Sequence, residues 1–134
     1  MVLANRNDLR LHFIFSAALK VISDSAISFT GGEFKELLDA QEGGSGFSFV
    51  DLAADRAGIR FAELALDEKG ARRLQQMASE LRQESTFFPS VADLPEGISR
   101  QDFDERGGID SEYYKQYLAT IDQRINGLTL YQAF

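Results

Sequence analysis

Five acidic side chains lie on the two sides of a glycine-rich turn at residues 43–46. They are Glu33, Glu36, Asp39, Asp51 and Asp55. Glu33 and Glu36 are three residues apart, and Asp51 and Asp55 are four apart, so each of these pairs can lie on one helix face. Carboxylates held close together repel, so such a group needs a cation or basic partners, or else carries raised pKa values. The candidate basic partners are Lys35, Arg56 and Arg60.

His12 is the only histidine of the chain, and it stands among apolar residues of the first helix. Its functional interpretation needs a carboxylate across the bundle, such as Glu36 or Asp55, which would orient the ring for acid–base chemistry. His12, Glu36, Asp51 and Asp55 are therefore the candidate catalytic residues. The same four are the candidate ligands of a divalent cation, Mg²⁺, Mn²⁺ or Zn²⁺. The structural alternative is a buried histidine, an Asp51 that only caps its helix and solvated carboxylates elsewhere.

Several other kinds of site are disfavoured. Ser45 is not in a Gly-x-Ser-x-Gly elbow, and the glycine-rich turn lacks the lysine and the spacing of a Walker loop. With no cysteine, the chain has no disulfide, thiolate zinc site or cysteine nucleophile. The 14 basic and 21 acidic residues give a net charge of -7. This acidity, without a basic run, disfavours nucleic acid as a partner and leaves a protein partner open.

Helical periodicity dominates the 134 residues, and we predict an all-α bundle of five or six helices in a single domain, 1–134. The two prolines lie in one irregular segment, 84–98, which we predict to be the main internal loop. No targeting signal or segment long enough to span a bilayer is evident, so we expect a soluble chain. The abrupt start leaves open whether Met1 was added to a domain excised from a longer protein.

Capping residues predict where the helices begin. The first helix runs from Asp8 to about Ser23, and its nearly uniform apolar character predicts that it is buried. The second runs from about Thr30 to the glycine-rich turn. The later helices begin at Ser48, near Asp67, at Ser99, and at Asp110 or Ser111. The aromatic residues of Phe87-Phe88-Pro89 and the tyrosines at 113, 114 and 117 either pack in the core or form a contact surface.

The ordered pattern His12-Phe13, Lys35-Glu36-x-x-Asp39, Ser48-x-x-Asp51-x-x-x-Asp55-x-x-Gly58 resembles that of VanZ-like and YfiM-like bacterial cell-envelope proteins. The resemblance covers residues 9–62. It implies that His12, Glu36, Asp51 and Asp55 are shared polar positions, that Gly58 is a packing glycine, and that the chain belongs to the cell envelope. It implies no particular reaction. VanZ-like proteins are membrane proteins, whereas these helices are too short or too polar to span, and residues 67–134 have no counterpart.

A weaker resemblance is to lysozyme-like lytic enzymes, in which a glutamate near a helix end precedes a glycine-rich segment. Glu33 or Glu36 would be the general acid, and Asp39 or Asp51 the second carboxylate. Two function classes therefore remain open. One is an envelope-associated interaction or structural module that binds no cofactor. The other is a metal-dependent or acid–base hydrolase, with cell-wall glycan as a candidate substrate.

Overall fold

The computed structural model describes residues 2–26 and 46–132. It contains the α-helices α1 (Asn7–Ala26), α2 (Phe49–Leu66), α3 (Glu68–Gln76), α4 (Arg100–Glu105) and α5 (Glu112–Asn126). Short 3-10 turns lie at Glu80–Arg82, Glu84–Thr86, Gly108–Asp110 and Thr129–Tyr131. Within the described ranges, β pairing is confined to two isolated bridges, Leu3 with Arg6 and Phe47 with Ile98. The all-α prediction is confirmed. The helix predicted from Thr30 lies outside the described residues.

Side-chain caps begin four of the helices, as their sequences predict. The Ser48 side chain accepts a hydrogen bond from the Asp51 amide at the start of α2. The Asp67 carboxylate caps α3 by accepting from two amides of its first turn. Ser99 and Ser111 cap α4 and α5 in the same way. These side chains satisfy amides that have no partner within their helices, and they fix the point where each helix begins.

Helices α1 and α2 pack side by side and run in the same direction. The residue numbers of contacting pairs increase together along both helices: His12 faces Asp55, and Lys20 lies 3.8 Å from Glu63. Gly58 makes the close approach possible, because a Cβ placed there would lie 2.2 Å from the backbone oxygen of Phe13. This packing matters for the site, since it places polar residues of the two helices, such as His12 and Asp55, side by side.

Two groups of aromatic rings form much of the core. Phe13 makes edge contacts with Phe61, Phe87 and Phe88. Phe87 and Phe88 are buried, so this part of the segment 84–98 packs inward and provides no contact surface. A second group packs around α2 and α5 and consists of Phe47, Phe49, Phe103, Tyr113, Tyr114 and Tyr117. Its tyrosines are half-buried against the core.

The prediction that α1 is buried is wrong for one of its faces. Leu9, Phe13 and Ser16 are buried towards α2. The large apolar residues Leu11, Ile14, Phe15, Val21 and Ile22 are 40–58% exposed. Apolar composition predicts how much of a helix can be buried, but the neighbours present on each side decide what is. Among the described helices, none is both long enough and apolar enough to cross a bilayer.

Candidate functional site

The imidazole of His12 lies between two carboxylates of α2. Its Nδ1 is 3.0 Å from Oδ1 of Asp55, and its Nε2 is 3.6 Å from Oδ2 of Asp51. Asp51 and Asp55 are one helical turn apart, so both can face the same ring from one side of α2. A carboxylate beside Nδ1 requires that this nitrogen carry a proton, and Asp55 thereby fixes the ring orientation. We call His12, Ser16, Asp51 and Asp55 the His12 cluster.

Asp55 is the buried end of this cluster. The residue is 1% exposed, and Ser16, which is 0% exposed, donates from Oγ to the same Oδ1 at 2.8 Å. His12 and Ser16 are themselves one turn apart on α1, so a single oxygen receives two donors from one helix face. A buried carboxylate is costly unless hydrogen bonds compensate for its lost hydration. The Asp55 contacts therefore join α1 to α2, one turn before the close approach at Gly58.

Asp51 is the more accessible end, with a side chain 14% exposed. Its Oδ1 is buried and makes no hydrogen bond to any residue in the described part of the chain. A guanidinium nitrogen of Arg6 lies 4.0 Å from that oxygen, but Arg6 directs its hydrogen bonds to Asp8 and Glu96. Asp51 thus lies between the imidazole of His12 and the guanidinium of Arg6, and its Oδ1 can still accept a hydrogen bond.

Burial dominates the titration of both carboxyls. Loss of hydration raises the pKa of Asp55 above 3.8, against the opposing effects of the His12 and Ser16 hydrogen bonds. Burial also raises the pKa of Asp51, against the lowering effect of the His12 charge. In this cluster, burial therefore opposes the ionisation of both carboxyls, and the imidazole of His12 favours it.

The structure brings together three of the four candidate residues, His12, Asp51 and Asp55. The fourth, Glu36, lies outside the described residues. So do the further candidates Glu33, Lys35 and Asp39. No group of three or more histidine, aspartate or glutamate side chains within residues 2–26 and 46–132 is arranged to hold a metal ion. Because the predicted ligand set includes Glu36, the metal site stays a prediction.

The prediction that Arg56 is a partner of the acidic group is wrong, whereas that for Arg60 stays a prediction. Arg56 forms a two-point ion pair with Asp122 of α5, at 2.5 and 2.7 Å. Arg60 donates to Asn126, also on α5, and lies over the ring of Tyr131. Residue 56 is about 100° round the helix from residue 55, so the two side chains face different neighbours. Both arginines thus contact α5.

Sequence reasoning missed two contributors, Ser16 and Arg6. Ser16 stands four residues after His12, and that spacing indicates a shared helix face. Arg6 precedes the first predicted helix and has no periodic partner in the sequence. Its place beside Asp51 follows from the turn at Leu3–Arg6, where the two backbones exchange hydrogen bonds.

Comparisons with protein-family models, with curated proteins and with solved structures find no match for this chain.

Because the pKa of Asp55 is raised in the folded protein, its carboxyl takes up a proton more readily when folded. The contribution of this protonation to stability is fully present below pH 3.8, the pKa of the carboxyl in the unfolded chain. It is lost as pH rises through the higher pKa of the folded protein. We expect the unfolding free energy of the wild type, minus that of Asp55→Asn, to increase as pH falls from about 7 to about 3. Urea unfolding at several pH values measures the difference.

Asp93 is the matched control, because its hydrogen-bonded partner Arg124 lowers the pKa of its carboxyl. Its contribution is present above 3.8 and is lost as pH falls through the folded value, so Asp93→Asn should give a difference of opposite slope. Equal slopes for the two variants would contradict the assignment of burial as the dominant effect at Asp55.

Proposed function

We propose that this chain is an envelope-associated helical interaction module in which the His12 cluster is structural. The observation that carries the proposal is the burial of Asp55, whose hydrogen bonds go to Ser16 and His12 of the neighbouring helix. A group that must touch substrate needs an approach from solvent, and Asp55 has none at 1% exposure. Its chemistry is instead suited to holding two helices in one register.

The close approach at Gly58 supports the same role. Gly58 lies one turn beyond Asp55 on the α2 face that meets Phe13. Tight backbone packing and a buried polar network at one level both specify how α1 sits on α2. Buried polar groups fix a unique arrangement more sharply than apolar packing alone in some helical systems. The cluster would therefore define the geometry of the module.

The envelope location rests on the resemblance of residues 9–62 to VanZ-like and YfiM-like proteins. The partner is inferred to be a protein, because a net charge of -7 disfavours anionic partners such as nucleic acid. Phe87 and Phe88 do not form the contact surface, because they are buried.

One observation favours the second candidate, a hydrolase. Nε2 of His12 and the carboxylate of Asp51 face each other at 3.6 Å, and Oδ1 of Asp51 makes no hydrogen bond within the described residues. A histidine oriented by one carboxylate and facing a second could serve acid–base or metal chemistry, with Asp55 in the orienting role. In this alternative the acting groups are His12 and Asp51.

Thermal unfolding with Mg²⁺, Mn²⁺, Ca²⁺ and Zn²⁺ separates the two candidates. A ligand that binds only the native state raises Tm. At a ligand concentration of a hundred times Kd, it adds about 2.7 kcal/mol to the unfolding free energy. We expect that no ion raises the Tm of the wild type by more than it raises the Tm of Asp51→Asn. The matched control is Asp122→Asn, which removes a carboxylate from the α5 surface.

An ion-specific rise that Asp51→Asn abolishes and Asp122→Asn retains would overturn the structural proposal in favour of a metal-dependent hydrolase. Metal-free acid–base catalysis is tested separately, by release of reducing sugar from purified cell-wall glycan. Release by the wild type that is lost in Asp51→Asn, while that variant keeps its Tm, would also overturn the proposal.

A further inference from the structure

One face of α1 carries a regular apolar stripe. We call its six exposed residues the α1 stripe: Leu11, Ile14, Phe15, Ala18, Val21 and Ile22. The five large members are 40–58% exposed. The stripe is centred half a turn round the helix from Leu9, Phe13 and Ser16, which are buried towards α2. It is therefore a second apolar face of α1, opposite the one that packs on α2.

The spacing within the α1 stripe is that of a helix paired with another helix. Leu11, Phe15, Ala18 and Ile22 follow one another at intervals of four, three and four residues. This alternation keeps a seam of residues facing one partner helix along its whole length. The α1 stripe thus has the pattern of an interhelical contact, which scattered apolar surface residues do not have.

The α1 stripe brings no charge to such a contact. Within residues 11–22, the charged or titratable side chains are His12 and Lys20. Both lie beside carboxylates of α2, His12 at 3.0 Å from Asp55 and Lys20 at 3.8 Å from Glu63. Contacts between identical subunits are apolar and depleted of charge at their centre. Because each chain carries a net charge of -7, two copies meet at least cost through a surface of this kind.

The area of the α1 stripe meets the requirement for a pair of copies. A large apolar side chain offers about 200 Å², and about half of it is exposed at each of the five large members, so the stripe presents roughly 500 Å². Two copies that cover each other's stripe bury roughly 1,000 Å² in total, which is the lower bound of a specific protein–protein interface.

We propose that the α1 stripe binds the α1 stripe of a second copy of this chain, with the two helices antiparallel about a two-fold axis between Phe15 and Ala18. A two-fold axis makes the contact self-complementary. Phe15 then lies opposite Ala18 of the second copy, and Leu11 lies opposite Ile22. Parallel pairing would instead set ring against ring and methyl against methyl, with overlap at one level and a void at the other. The inference does not rest on the proposed function, since the stripe contains no residue of the His12 cluster.

The mass of the full chain in solution, measured by sedimentation as a function of concentration, tests the association. We expect the mass to rise from 14.9 kDa towards twice that value. Ile22→Glu and, independently, Leu11→Glu should weaken the dimer by at least about tenfold, because each buries a charge in an apolar contact. Ile109→Glu is the matched control, at an isoleucine 38% exposed in the turn before α5, and it should leave the dimer unchanged. Circular dichroism checks that each variant keeps its helices.

Cross-linking tests the direction of the pairing, because the chain has no cysteine of its own. Leu11→Cys and Ile22→Cys are treated with a short bismaleimide, each alone and as an equimolar mixture. We expect covalent dimers from the mixture and few from either variant alone, since antiparallel pairing separates the two copies of residue 11 by about 16 Å along the axis. Ala119→Cys, on the exposed surface of α5, measures the background of random collision.

Four outcomes would overturn the proposal. In the first, the chain keeps a mass of 14.9 kDa at every concentration. In the second, the dimer tolerates Ile22→Glu and Leu11→Glu as well as it tolerates Ile109→Glu, so that the interface lies elsewhere. In the third, each cysteine variant alone cross-links as fast as the mixture, which indicates parallel pairing. In the fourth, the chain stays monomeric and sediments with phosphatidylcholine vesicles unless it carries Ile22→Glu, which indicates a membrane surface in place of a second copy.

Discussion

Gly58→Ala is expected to lower the unfolding free energy by at least about 2 kcal/mol, because the new methyl group has no room. Its Cβ would lie 2.2 Å from the Phe13 oxygen and 3.0 Å from the Phe13 carbonyl carbon. Both atoms are backbone, so no rotamer change can relieve the contact, and α1 must move away from α2. Alanine in a helix interior is otherwise favoured over glycine by about 1 kcal/mol, so the packing cost must exceed that gain.

Urea unfolding monitored by circular dichroism measures the change, and Gly127→Ala is the matched control. Gly127 follows α5 with a negative φ, and a Cβ there would lie 3.3 Å from its nearest neighbour, the Gln123 oxygen. We expect Gly127→Ala to change stability by no more than about 1 kcal/mol. If Gly58→Ala proved as stable as the control, the close approach of α1 and α2 would be refuted.

The helix starts could be predicted because they depend on local chemistry. Ser48 and Ser99 each precede an aspartate by three residues, and the serine oxygen needs only the amide at that position to act as a cap. The same local information predicts that Asp51 and Asp55 share a face. Such signals do not depend on which helix packs where, so the sequence suffices for them.

The partners of α2 could not be assigned from residue types alone. Asp55 and Gly58 belong to one face of α2 and meet α1, whereas Arg56 and Arg60 belong to another face and meet α5. A helical wheel separates the two faces, but it does not say which neighbour each one meets. For that reason the sequence offered both Glu36 and Asp55 as carboxylates for His12, of which Asp55 is in contact with the ring, and it did not point to Asp122 as the partner of Arg56.

The exposed face of α1 shows a second reason why the sequence alone does not suffice. Leu11 and Leu9 are the same residue type two positions apart, yet one is 54% exposed and the other is fully buried. Apolar periodicity is present on both faces, and only the tertiary arrangement distinguishes them.

Asp55→Ala is expected to cost about 3–5 kcal/mol of unfolding free energy at neutral pH, the largest effect of any single side-chain truncation in the His12 cluster. The truncation removes the oxygen that accepts from both Ser16 and His12. The Ser16 hydroxyl is fully buried and would lose this acceptor, and the ring of His12 would lose the carboxylate that orients it. Urea unfolding measures the cost as a shift of the midpoint at constant slope.

Asp122→Ala is the control that separates burial from charge. Asp122 pairs with Arg56 through two short hydrogen bonds, but the two side chains are 38% and 36% exposed. An exposed pair of this kind contributes no more than about 1 kcal/mol, since water replaces the lost contact. A cost at Asp55 no greater than that at Asp122 would show that the His12 cluster does not hold α1 to α2.

Asp55→Asn locates the origin of the effect, because its amide oxygen can still accept from Ser16 and His12 while the charge is removed. If hydrogen bonding to a shared acceptor is what joins the helices, this variant should retain more than half of the stability that Asp55→Ala loses. If instead the two variants lose equal amounts, the negative charge beside His12 is the essential feature. In that case the imidazole acts chiefly as a buried counter-ion, and the helix pair depends on an ion pair that burial itself opposes.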